Sequence, residues 1–294
     1  MNAPADAPTT ELYPNLRGHE AVAVMSTLAP ALDGALVEQL RVAVHGDLIQ
    51  PGEPGYDEAR RVYNAMHDRR PAAVVRAADA GDVIATVNFA REQGLLLAVR
   101  GGSHSVSGYG TCDDGVVLDL AGMRGIRVDP AARTARAEGG CTWADFNHAT
   151  HAFGLAATGG VVSSTGLGGL TTGGGMGHLA RRCGLACDNL VSADVVTADG
   201  AFVTCSEEHN TDLFWALRGG GGNFGVVTSF AFRDADFSTA LSPTRTTRAE
   251  CEANIDWVRR FEAALRPHSM EGGVRQLHGP GRPGPGPDQL PAEL

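Results

Sequence analysis

No basic excess marks this chain: 24 Lys and Arg stand against 34 Asp and Glu, for a formal net charge of −10. A nucleic-acid partner normally leaves a basic footprint, so that class of ligand is excluded. No apolar run approaches the ~20 residues of a membrane span. The opening residues Met1 to Asp6 have neither the basic nor the apolar region of a signal peptide, so a soluble, cytoplasmic protein without a membrane partner is expected. The six cysteines, Cys112, Cys141, Cys183, Cys187, Cys205 and Cys251, are scattered, and in that compartment they should be free thiols. Cys183 and Cys187 form a lone C-x-x-x-C, which argues against zinc. Gly-Lys-Ser/Thr is absent, which removes the P-loop. No G-x-G-x-x-G sits cleanly between strand and helix with an acidic residue ~20 positions on, so nicotinamide and ATP readings are weak.

Glycine is what the chain has in excess. It has 39 in 294 residues, roughly twice the usual ~7% share. Of these, 26 fall between residues 101 and 230. Glycine is entropically costly to order, so a folded region this rich in it needs close backbone approach. A ligand lying along the backbone would supply that need.

The most telling segment is Arg100-Gly101-Gly102-Ser103-His104, followed by Ser105. The apolar run Leu95 to Val99 reads as a buried strand, and the two glycines let backbone N–H groups converge on an anion. Arg100 adds a fork of donors suited to phosphate oxygens. His104 stands about one small-molecule length away, so a cofactor held at both ends is indicated. The bland alternative is a plain turn beside a solvated histidine.

Periodicity predicts helices over Ala35 to His45 and Tyr56 to His67, a strand at Ala73 to Arg76, and an amphipathic helix from Gly81 to Gln93. With the strand that follows, this forms a βαβ unit. Further strands are expected at Val116 to Leu120, Ile126 to Val128 and Thr134 to Glu138. Thr142 should cap a helix through Ala152. Val191 to Thr197 and Ala201 to Cys205 read as a hairpin turning at Asp199-Gly200. A short helix, Thr211 to Leu217, precedes a strand from Val226 to Phe232. His148 and His151 sit three apart on a helix and could face a metal, but no third ligand is evident and a solvated face is the simpler reading. His178 follows the triple glycine and borders the ligand at most. From Gly272 to Leu294, eleven of 23 residues are Pro or Gly, and this tail is expected to be disordered.

Taken together, the ordered motifs resemble a known family. The carriers are Val99 to His104, Thr158 to Gly169, Gly173-Gly174-Gly175-Met176-Gly177, Cys187 to Leu190, and Asp212 to Gly225. They are similar to flavoproteins with a PCMH-type FAD-binding domain, specifically the bacterial berberine-bridge-enzyme-like oxidases. The resemblance runs from about Arg70 to Asp234. It implies an α+β fold with an FAD-binding domain of two subdomains over 35–236 (core 70–236). A loose segment, 1–34, precedes it, and the start of a substrate domain, 237–271, leads into the tail at 272–294.

What the resemblance implies for the site is specific. FAD is the expected cofactor, bonded covalently through His104 only. The expected binding residues are Arg100, Gly101, Gly102, Ser103, His104, Ser105, Gly159, Gly160, Ser164, Thr165, Gly168, Gly169, Gly174, Gly175, Gly225 and Val226. The expected reaction is oxidation of an alcohol, sugar or related small molecule, with O₂ as acceptor. Some relatives attach the flavin a second time through a cysteine, and Val162 stands at that position; Cys187 lies in another segment. Leu170 stands where relatives often have a histidine. The C-terminus is read as truncated or frame-shifted, so that no catalytic base can be named. The strand from Val226 is expected to leave an unpaired sheet edge. A non-catalytic flavin-binding remnant is the alternative.

Overall fold

The structure, a computed structural model, describes residues 32–236 and, beyond them, Asp256 and Arg260. The expected start of a substrate domain at 237–271, apart from those two residues, and the expected Pro/Gly tail lie outside the described residues, as does nearly all of the 1–34 segment.

Two sheets organise the chain. The first contains β1 (Asp47–Ile49), β2 (Ala73–Arg76), β3 (Leu97–Arg100) and β4 (Val116–Asp119), in the order β1-β2-β4-β3. The β2, β3 and β4 strands are parallel, and β1 is antiparallel to β2. Val74, Val75, Val116, Val117 and Leu118 are fully buried, as parallel strands covered on both faces require. Helix α1 (Gly34–Ala43) buries Val37 and Leu40 against this sheet. Helix α2 (Tyr56–Ala59) is a single turn. Helix α3 (Ala80–Glu92) starts at Asp79, whose carboxylate accepts from the Asp82 N–H, and its buried side includes Val83, Val87 and Ala90. The β2-α3-β3 unit read from the sequence is real but split. Strand β4 sits between its two strands and pairs with both.

The second sheet is antiparallel: β5 (Ile126–Asp129), β6 (Thr134–Glu138), β10 (Val226–Arg233), β8 (Leu190–Val196) and β9 (Phe202–Ser206), in that order. Between these strands lie α4 (Trp143–His151), β7 (Leu155–Ala156), α5 (Leu167–Thr172), α6 (Ala180–Cys183), a 3₁₀ turn (Cys187–Asn189) and α7 (Thr211–Leu217). A two-residue strand, β11 (Ala235–Asp236), pairs with β7. Trp143, Phe146, Phe230 and Phe232 form the aromatic centre of this sheet's core. Val196 and Val226, at the ends of β8 and β10, instead join the core of the first sheet. That shared packing fastens the two α+β subdomains together.

Three sequence expectations need correction. The strand from Val226 is the centre of its sheet, paired with β6 on one side and β8 on the other, so it leaves no open edge. Strand β3 is only half buried, with Val99 37% exposed. The helix expected over Tyr56 to His67 stops at Ala59. Were the helix to run on, the Tyr63 N–H would donate to the Ala59 carbonyl. Tyr63 N–H donates instead to Ser103 O at 3.1 Å, and Ala59 O accepts from Arg100 Nη2 at 2.5 Å. Tertiary bonds replace the helical one.

Candidate functional site

The two sheets meet at a glycine seam. A Cβ on Gly102 would lie 2.2 Å from Gly166 N, and one on Gly166 would lie 2.4 Å from Gly102 N. Neither position tolerates a side chain, because backbone touches backbone there. Gly139 and Gly140 are equally confined, by Val227 O at 2.4 Å and Leu120 O at 1.7 Å. The seam brings the loop after β3 against the loop before α5. A cavity of about 440 Å³ opens beside it, within the range of small-molecule sites.

Of the residues singled out from sequence, Arg100, Gly101, Gly102, Ser103, His104, Ser105, Thr165, Gly168, Gly169, Gly225 and Val226 line this cavity. Ser164 lies beside them, its Oγ 3.0 Å from His104 Nε2. Gly159 and Gly160 line a second cavity of about 420 Å³ with His148, His151 and His178. Gly174 and Gly175 line neither. Both have left-handed φ, 103° and 82°, and their carbonyls accept from Cys187 and Ala186 N–H groups, so they shape the turn into the 3₁₀ segment. Gly139, Gly166, Gly221, Gly222, Val227 and Phe230 also line the first cavity. Gly166, Gly221 and Gly222 stand inside the glycine motifs. The only sign of Gly139 was the Gly-Gly pair closing β6.

From sequence, Arg100 is expected to present its guanidinium to phosphate oxygens, and the structure corrects this. Arg100 is 5% exposed. Its Nη2 donates to Asp119 Oδ2 at 2.6 Å and to Ala59 O, and its Nη1 donates to Arg61 O at 3.1 Å. Its charge is therefore spent on a buried ion pair and on holding segment 59–61. The donors left in the loop are its backbone N–H groups. Those of Gly102, Ser103, His104 and Ser105 donate to no other described residue. Ser103 has a left-handed φ of 62°, a conformation that costs energy outside glycine and clusters at ligand-binding turns.

The loop is braced from outside. Asn64 Nδ2 donates to Val106 O at 2.9 Å, and His67 Nε2 lies 2.9 Å from the same oxygen. The Tyr63 ring stacks on His104 at 4.1 Å between centroids and 16° between planes. Apart from His104, Tyr109 and Arg100, the lining carries no titratable side chain. Gly169 faces open space, with nothing within 4 Å of a Cβ built on it, whereas a Cβ on Gly168 would lie 3.3 Å from the Phe230 ring. The result is a largely apolar floor, lined by glycine, beside a loop of unengaged N–H donors. This pairing suits a ligand with one planar and one anionic part, and FAD fits that description.

Comparison with known proteins agrees with this geometry. Residues 71–206 match the family described as FAD binding domain. A relative from Paenarthrobacter nicotinovorans, (R)-6-hydroxynicotine oxidase, is 41% identical over 187 residues, covering 64% of this chain and 41% of its own. Among solved structures, Physcomitrella patens BBE-like 1 superposes with a TM-score of 0.66 at 31% identity, over 69% of this chain and 45% of that one. Glucooligosaccharide oxidase from Acremonium strictum, described with a 6-S-cysteinyl, 8α-N1-histidyl FAD, gives a TM-score of 0.65 at 32% identity, over 68% and 42% of the two chains. The chain spans about two-fifths of the length of the curated relatives it matches. Among the described residues, no helix is long and apolar enough to cross a membrane.

Proposed function

We propose that the chain, whose residues 71–206 match the FAD binding domain family, is an FAD-linked oxidoreductase with a PCMH-type, berberine-bridge-enzyme-like FAD-binding domain and takes part in oxidising an alcohol, sugar or related small molecule. When bound, FAD would supply a two-electron acceptor at N5, with dioxygen as the final acceptor.

The chain's own residues have three tasks. The free N–H groups of Gly102 to Ser105 hold the pyrophosphate, since convergent backbone donors recognise anions without a side-chain charge. The glycine floor, Gly168 and Gly169 on one side and Gly225 on the other, lets a planar ring lie against backbone. His104, at the mouth of the loop, is the tether. A neutral imidazole is a competent nucleophile once its target is fixed in distance and orientation. Val162 carries no nucleophile, so the attachment is single.

The observation carrying this reading is the convergence of the Gly102–His104 loop and the Gly166–Gly169 floor on one cavity. The test is acid denaturation of purified protein followed by mass spectrometry of its peptides. Flavin should remain on the peptide containing His104 and on no other, and His104→Ala should release it. Complete loss of flavin from the wild type on denaturation refutes the covalent tether. Flavin on the Cys187 peptide refutes the assignment of Val162.

A further inference from the structure

We infer that Ser164 and Tyr63 are positioning residues for flavin attachment: Ser164 holds His104 in the tautomer that presents Nδ1, and Tyr63 fixes the plane of its ring. The inference rests on His104 being the tether.

An imidazole has two nitrogens, and the hydrogen bond made by one decides the protonation of the other. Ser164 Oγ lies 3.0 Å from Nε2 of His104. When the serine oxygen accepts the Nε2–H, the lone pair on Nδ1 is left free. The serine is well placed for this, because its neighbours are anchored on both sides. Ser163 O accepts from Ala144 N–H at 2.9 Å, and Thr165 O accepts from Trp143 N–H at 3.1 Å. Both donors belong to the first turn of α4, whose start is fixed by a complete capping box between Thr142 and Asp145. Ser164 therefore approaches His104 from a rigid element of the second subdomain.

Tyr63 reaches the same ring from the first subdomain. Its backbone is tied to the loop through Ser103 O, and its ring covers one face of the imidazole at 4.1 Å. With that face covered and Nε2 engaged, the ring cannot turn over without losing both contacts. Nδ1 remains as the nitrogen directed at an incoming electrophile in the imidazole plane.

The attachment balances as follows. One C–H bond of the flavin 8α-methyl group and the N–H bond of the imidazole are lost, and one C–N bond forms. Two protons leave, that from Nε2 by way of the Ser164 hydroxyl. The two electrons enter the flavin ring system, and dioxygen removes them as hydrogen peroxide.

The experiment adds FAD to flavin-free full chain in air and follows acid-stable flavin on the polypeptide with time. Reversible FAD binding is measured separately by fluorescence quenching. Tandem mass spectrometry and NMR of the flavin peptide then identify the bonded nitrogen. With FAD held at saturation for each variant by its own measured dissociation constant, Ser164→Ala should form the adduct about tenfold more slowly than the wild type, the worth of one net hydrogen bond, and on both nitrogens. Ser164→Thr, which keeps the hydroxyl, should restore rate and Nδ1 selectivity. Tyr63→Phe should behave as the wild type and Tyr63→Ala should lose selectivity. Wild-type rate and Nδ1-only linkage in Ser164→Ala would overturn the inference and leave the tether intact. A wild type that binds FAD and forms no adduct overturns the tether itself, and the inference with it.

Discussion

At the scale of single residues, the glycine seam and one buried acid make the sharpest demands. Gly102→Ala and Gly166→Ala would each drive a methyl group into backbone that has no room to yield. Either should weaken FAD binding at least tenfold and lower the melting temperature, whereas Gly169→Ala, which meets nothing within 4 Å, should leave the melting temperature unchanged. Titration calorimetry and thermal melts of the three variants check this. Asp234 is the buried acid. It is 4% exposed with neither carboxylate oxygen hydrogen-bonded to a described residue, and burial pushes its carboxyl up to about 7. In the unfolded chain a carboxyl of this kind titrates near 4. The folded state therefore holds this proton more tightly, and the stability tied to it is lost as pH rises from about 4 through about 7. Asp234→Asn should raise the melting temperature at pH 8 and flatten its slope between pH 4 and 7. Melts across that range would show no change if the acid were paired. Burial acts in the same direction on two thiols, raising Cys112 to about 11 and Cys141 to about 12, so both should stay silent toward Ellman's reagent in the native protein.

Among the elements, α4 couples local stability to the site. Thr142 accepts from the Asp145 N–H while the Asp145 carboxylate accepts from the Thr142 N–H at 2.9 Å. Burial opposes ionisation of Asp145, but the hydrogen bonds from Arg124 and Thr142 win and hold its carboxyl below the ordinary range. Thr142→Ala should cost about 1 kcal/mol, read as a lower urea midpoint with unchanged slope. Because the Ser163–Thr165 loop hangs from the same turn, this variant should also slow flavin attachment. The capping residue, the helix length and the β8–β9 hairpin were legible in the sequence, since caps, periodicity and turn residues are local signals. The segment after Ala59 was not. Its apolar spacing is helical, and only the hydrogen bonds of Arg100 and Ser103 divert it.

Across the whole molecule, the cavity lies where two sheets with separate cores meet, and Val196 and Val226 are the apolar side chains of the second sheet that reach into the first core. A ligand touching both loops at the seam should therefore brace the joint. FAD at a hundred times its dissociation constant should stabilise the fold by about 2.7 kcal/mol by mass action. The melting temperature of the flavin-free chain should climb with FAD concentration, and an absence of any climb would mean that the native fold does not bind FAD.

The division between chain and fold follows from the range of the forces. Glycine clusters, the Arg100 to His104 loop and the cap at Thr142 are written in short stretches, where backbone freedom and neighbouring side chains decide the conformation. From these, by resemblance, the FAD-binding fold could be read, and with it eleven of the residues that line the cavity. The insertion of β4 between β2 and β3, the central place of β10, and the diversion of Arg100 from phosphate to Asp119 required contacts between residues 19 to 99 positions apart. No local pattern encodes such distances. They are fixed only when buried strands and a buried charge must each find a partner.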